Sequence, residues 1–275
     1  YWLFRPKLSL NYSVTQAFSV RYSFEIFEHI SRMAMISNTK IRENSREWRV
    51  GNPNIEPNKV VQQIVNISYV RPRFYNLVDF FWRLNTNPNM SKYVRNANNE
   101  FYYMQANQKR IEMFRISDAF NIKIIPDVLE TTLVGALYRF INVGDDYKHS
   151  LTTFNFQASI QAYLGRWTLT AYADNGWKFN EGETLAHNGS NIYVGSSYRL
   201  GNLQLSLYIN NPFTQHHKDL HSHILNCYVT KNTVQRNRDM GNFLTFNLSW
   251  NLEFGHRKQN KKQHNQHKDT DTGIM

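Results

Sequence analysis

The sequence predicts an all-β chain: a transmembrane antiparallel up-and-down β-barrel, of which these 275 residues supply about eleven strands. Three observations carry that expectation: a period of two in hydrophobicity repeated along the chain, an alternation of tight turns with long polar loops, and an unusual polar face. Successive strand side chains point to opposite sides, so a period of two marks a strand with two unlike faces.

Taken in order, residues 7–14 place Leu8, Leu10, Tyr12 and Val14 on one side and Lys7, Ser9, Asn11 and Ser13 on the other. Residues 18–26 repeat this with Phe18, Val20, Tyr22, Phe24 and Ile26. Less regular candidates follow at 60–70, 73–86, 110–125 and 131–142. In 110–125, Asp118 falls on the apolar side, which predicts a bulge there or a different register. The stretch 153–164 alternates cleanly, with Phe154, Phe156, Ala158, Ile160, Ala162 and Leu164 opposing Thr153, Asn155, Gln157, Ser159, Gln161 and Tyr163. Strands at 167–174, 191–200 and 203–210 continue the pattern, and 241–254 ends it with Leu244, Phe246, Leu248, Trp250, Leu252 and Phe254 on one face. No segment combines a helical period with caps.

Between these strands lie tight turns near 14–16, 71–73, 126–130, 165–166 and 201–202. They alternate with longer polar loops at 30–59, 88–105, 143–149, 175–189 and 211–240. Such alternation puts all tight turns at one end of an up-and-down sheet and all long loops at the other, as in outer-membrane barrels. A soluble sandwich also alternates, but its water-facing side is usually rich in Lys and Glu. Here the polar side is mostly Asn, Ser, Thr and Gln, which suits a wet lumen. Aromatics near strand ends, such as Trp167, Tyr198, Trp250 and Phe254, match the girdles that flank a lipid-facing band.

Composition closes off other classes. Mean hydropathy is −0.58, and no apolar run approaches the roughly 18 residues of a spanning helix. The net charge of +11 permits an acidic partner. The cations are nevertheless scattered, apart from HRKQNKKQHNQHK at 256–268, and no nucleic-acid-binding signature is present, so no nucleic-acid partner is expected. The single Cys227 excludes an internal disulfide and reads as a free thiol. Residues 1–254 are therefore expected to be barrel and 255–275 a polar, disordered tail on the turn side. The opening YWLFRPKLSLNYSV alternates almost at once and reads as a chain begun partway through a domain. Single-chain bacterial barrels normally have even strand numbers, so eleven implies a larger barrel completed by an odd number of further strands, and a fragment that does not fold alone.

Sites are sparse. Tyr102, Tyr103, Trp177 and Phe179, with Phe101, lie in or beside the long loops, where they either stack on a flat ligand or serve as interfacial aromatics. QHHKDLHSH at 215–223 offers His216, His217, His221 and His223, with Asp219, as metal ligands; the competing reading is a polar loop that happens to be rich in histidine. No Ser/His/Asp spacing singles out a catalytic site, and neither an enzyme nor a cofactor is expected.

GNPNIEP at 51–57, leading into VVQQIVNISYV, resembles the GNP-x-L-x-P element of TonB-dependent outer-membrane receptors. NNPF at 210–213, the last strand NFLTFNLSWNLEFG and the polar tail ending DTDTGIM fit the same TonB-linked receptor-like barrel family. The resemblance implies a barrel of about 22 strands with a lumenal plug, of which this chain would be the second half. It further implies location in the outer membrane among lipid, uptake of a nutrient captured by the long loops, coupling to the TonB complex through the plug, and possible association with a surface lipoprotein. The plug, the TonB box and the family's carboxypeptidase-regulatory-like domain are not seen in these residues, so energy coupling rests on kinship alone. The competing reading is a non-transporting barrel: a passive pore or a surface assembly or adhesion protein. In its own right, GNPNIEP reads as a rigid connector, with Gly51 free to take positive φ and Pro53 and Pro57 fixing the backbone.

Overall fold

A computed structural model describes residues 4–29, 36–215, 217–237 and 241–252. His216, Phe254 and the tail from 255 lie outside them. All nineteen elements among the described residues are strands. Eleven form one antiparallel sheet in chain order: β1 (Lys7–Ser13), β2 (Phe18–His29), β5 (Asn58–Arg71), β6 (Phe74–Thr86), β9 (Arg110–Ile125), β10 (Leu129–Val143), β11 (Lys148–Leu164), β12 (Trp167–Asp174), β15 (Ile192–Leu200), β16 (Leu203–Asn210) and β19 (Phe243–Trp250). Each corresponds to one of the predicted strands.

Registry aligns the apolar sides of neighbouring strands into continuous rows. One row runs Ile160, Ala171, Val194, Ile209 and Leu244 across five strands. A second joins Phe80, Ile116, Leu137 and Phe154. Nearly all of these apolar side chains are exposed: Ile160 keeps 50%, Leu137 48% and Leu244 63% of its accessible surface. An uncovered apolar face of this extent does not persist in water. The opposite face is polar. Asp79 is buried there against the Arg115 guanidinium, Asn66 donates to its other oxygen at 2.9 Å, and Ser19 and Ser68 share a hydrogen bond at 2.7 Å.

The connectors sort as expected. Tight turns after β1, β5, β9, β11 and β15 occupy one end; Gly165 and Gly201 take positive φ (64° and 59°) with open space around them, so backbone conformation alone selects glycine. At that end Trp167 and Tyr198 pack with ring centroids 4.8 Å apart, and Trp250 stands opposite Leu203.

Four expectations need correction. Eight further strands lie inside the segments read as loops: β3 (Lys40–Arg42), β4 (Glu47–Val50), β7 (Asn89–Arg95), β8 (Phe101–Asn107), β13 (Trp177–Glu181), β14 (Thr184–Asn188), β17 (Lys218–Leu225) and β18 (Thr230–Arg236). These strands are short, and although most pair with a neighbour in sequence, the β4–β8 and β14–β17 pairings that complete the sheets join distant segments, so they leave no regular alternation to read. The segment 143–149 is not a long loop, because β10 and β11 extend until only residues 144–147 separate them. At Asp118 there is no bulge: β9 keeps unbroken register with β6 and β10 through that position. Gly51 is selected by close approach rather than positive φ, since an added Cβ would lie 1.6 Å from the Ser37 carbonyl oxygen.

Candidate functional site

The eight additional strands build two four-stranded sheets at the loop end. The first has the order β3-β4-β8-β7 and the second β13-β14-β17-β18. In the first, β4 and β8 run parallel, which sets Arg49 beside Tyr103, and Tyr103 in turn faces Tyr93 of β7. The two tyrosine rings lie 5.0 Å apart, the Arg49 guanidinium sits 5.8 Å from the Tyr103 ring centre, and Ser91 and Tyr103 hydroxyls are hydrogen-bonded at 3.0 Å. In the second sheet, Thr184, Ile224 and Lys231 form one row, and Ser222 pairs with Thr233.

These two faces border a half-open cavity of about 240 Å³. The Lys231 ammonium reaches the Glu47 carboxylate at 3.5 Å across it, and Arg49 holds Glu43 at 2.9 Å. Glu183 closes one side, accepting from the Asn226 amide at 2.8 and 2.9 Å. Burial pushes the Glu183 carboxyl above the usual carboxylate range. Burial, and then the neighbouring Glu47 carboxylate, drive the Tyr93 phenol well above its ordinary value. Tyr93 therefore stays a neutral donor at physiological pH. With two of three carboxylates already paired to cations, the lining presents mainly hydroxyl groups and tyrosine rings, a surface for hydrogen bonding and stacking on a polar ligand.

The second sheet is clamped to the wall by Asn142, whose side chain is fully buried at the top of β10. Its amide donates to the Asn180 side-chain oxygen at 2.6 Å and to the Asn180 carbonyl at 3.1 Å, while its own oxygen accepts from the Gly182 N–H at 3.0 Å. Asn155 adds a bond to the Gly176 carbonyl at 2.6 Å.

Of the residues singled out in sequence, Tyr103 lines the cavity. Tyr102 points from the other face of β8, donating to Glu100 at 3.2 Å beneath the Lys40 ammonium. Trp177 stacks on Phe179 at 4.7 Å and packs against Tyr138 and Phe140 of β10, joining the second sheet to the wall. His221 and His223 project from the face of β17 opposite Ser222, with His187 across from His221. They border a separate cavity of about 250 Å³ with Leu151, Lys178 and Leu185. Burial, with Lys178 and His221 nearby, lowers the His187 pKa. His217 is buried, 3.9 Å from the Asp219 carboxylate. Among the described residues no three His, Cys, Asp or Glu side chains form a metal-holding group. Glu43, Glu47, Tyr93, Glu183 and Lys231 were not legible as a site, because strands far apart in the chain bring them together.

No protein-family model matches the chain, and no curated protein matches it in sequence. Solved structures do. The copper transporter OprC superimposes with a TM-score of 0.65 at 10% identity, covering 89% of this chain and 39% of its own. The siderophore receptor PirA from Pseudomonas aeruginosa gives 0.61 at 12% identity, over 76% of this chain and 39% of that one. Its counterpart from Acinetobacter baumannii gives 0.59 at 9% identity, over 90% and 40%. This chain thus spans about two-fifths of the length of the receptors it matches. At these identities the likeness concerns the fold alone: the chain has the architecture of the barrel wall of TonB-dependent receptors.

Proposed function

We propose that this chain forms part of the wall and the outer loops of an outer-membrane receptor that takes up a nutrient by TonB-dependent transport. The observation that carries this reading is the asymmetry of one sheet. A single apolar face runs across the eleven strands, exposed on β1 and from β6 to β19 and half-buried on β2 and β5, its polar reverse suits a wet lumen, and folded loop sheets rise from one end only. Lipid covers the apolar face, the tight turns lie in the periplasm, and the loop sheets stand at the cell surface. The cavity between those sheets is the place of first capture, with Tyr93, Tyr103, Ser91, Ser222 and Thr233 supplying contacts. The matched structures are named as siderophore receptors and a copper transporter, which favours a receptor over a catalyst.

The test is uptake in the native host. Deleting the gene should abolish growth on one scarce nutrient, and Tyr103→Ala in the full-length protein should raise the nutrient concentration needed for half-maximal growth. Uptake that persists when the inner-membrane energy source is removed would instead establish a passive pore.

A further inference from the structure

Asp118 interrupts the apolar face in the middle of β9. On that face Phe120, Ile122 and Ile124 follow it toward the tight turn, and Ile116 and Phe114 precede it toward the loops. Because register is unbroken, Asp118 stands directly between Val78 of β6 and Gly135 of β10. Ionisable groups at such depth are rare and generally functional.

Its surroundings define what would meet it. The Asn76 amide donates to one Asp118 carboxylate oxygen and lies 3.4 Å from the Ala119 carbonyl. Both amide hydrogens thereby have acceptors within this chain. What remains facing outward is acceptors alone: the second Asp118 oxygen and the Asn76 side-chain oxygen. Next to them Gly135 leaves the surface bare. Its φ is not positive, and an added Cβ would meet only the Phe154 ring edge at 3.6 Å. Neither backbone conformation nor crowding within this chain calls for glycine there, whereas close approach by another molecule does.

We propose that this patch docks a membrane-spanning segment of a different protein that places an arginine or lysine at the depth of Asp118. A guanidinium or ammonium supplies the donors the patch lacks, and the forked geometry of arginine fits adjacent acceptor oxygens. Hydrocarbon tails have no donors, and lipid head groups lie beyond the Phe120–Ile124 rows. A two-fold contact between copies of this chain centred on Asp118 would set two carboxylates against each other. The inference rests on the membrane-barrel reading above.

The test places a photo-reactive amino acid at Leu137, beside Gly135, or at Leu207, on the same face but distant, in the full-length protein in its native outer membrane. The expected result is a protein adduct from position 137 and lipid adducts alone from 207. Asp118→Leu should lower the protein adduct at least about tenfold, Asp118→Glu should retain it, and the captured peptide should carry Arg or Lys within an apolar stretch. Replacing that residue with Glu should abolish the adduct. Asp118→Asn, which keeps the side chain's shape, serves if the leucine variant fails to assemble. Lipid adducts alone at 137, an adduct only to a second copy, or one indifferent to Asp118 would overturn the proposal. Lipid adducts at 207 show that the membrane reading holds even if the docking does not.

Discussion

Asn142→Ala removes the clamp between the wall and the second loop sheet. The substitution deletes three hydrogen bonds: two from the Asn142 amide to Asn180 and one from the Gly182 N–H to the Asn142 oxygen. At about 1 kcal/mol net for each, the loss is about 3 kcal/mol of local stability. That corresponds to an increase of roughly a hundredfold in the opening of the hairpin. Hydrogen exchange read by mass spectrometry on the full-length protein in lipid should show it. Peptides covering β13 and β14 (177–188) should exchange faster by about that factor, while the wall strand β11 keeps its protection. A change under about threefold in the hairpin, or equal loss of protection in β11, would refute the idea that Asn142 fastens this sheet independently of the wall.

Three further outcomes follow from the same geometry. Leu207→Arg, on the apolar face, should destabilise the lipid-inserted barrel by about 2–4 kcal/mol, while Gln161→Arg on the polar face should change it by less than about 1, measured by refolding into lipid vesicles. Gly51→Ala should lose about 1–3 kcal/mol of local stability, because its Cβ would overlap the Ser37 carbonyl; faster exchange in residues 37–50 checks this. His187 has a lowered pKa in the folded chain. Its neutral form is the one that folding favours, so the stability it contributes is present above the ordinary imidazole value of 6.5 and is lost as pH falls through the lower folded value. Acidification should therefore speed exchange in the second loop sheet, and His187→Gln should reduce that pH dependence.

The wall was legible because one physical constraint governs it. Each wall strand has one mainly apolar and one mainly polar side, and the sequence carries that division cleanly in 7–14, 18–26 and 153–164 and less regularly between 60 and 142. Asp118 looked like an error of register for the same reason, and the structure keeps it on the apolar face. The loop sheets obey a different constraint. Their strands are about three to eight residues long and pack on two unlike sides. The pairings that complete each sheet, β4 with β8 and β14 with β17, join distant segments, and Glu47 and Lys231 meet between the sheets across 184 positions. Periodicity has no access to such pairings. Tyr103 could be suspected as a lone loop aromatic, but its companions Tyr93, Arg49 and Ser222 become a site only after β4 pairs with β8 and β14 with β17.

The central claim is that one face of this sheet meets lipid and the other water. Spin labels placed singly at 154–164 in the full-length protein, reconstituted in lipid, test it directly by collision with oxygen, which concentrates in hydrocarbon, and with a water-soluble nickel chelate. Labels at Phe154, Phe156, Ile160 and Leu164 should favour oxygen, and labels at Asn155, Gln157 and Gln161 should not, giving a period of two. Equal access of the nickel chelate to both sets would contradict the account.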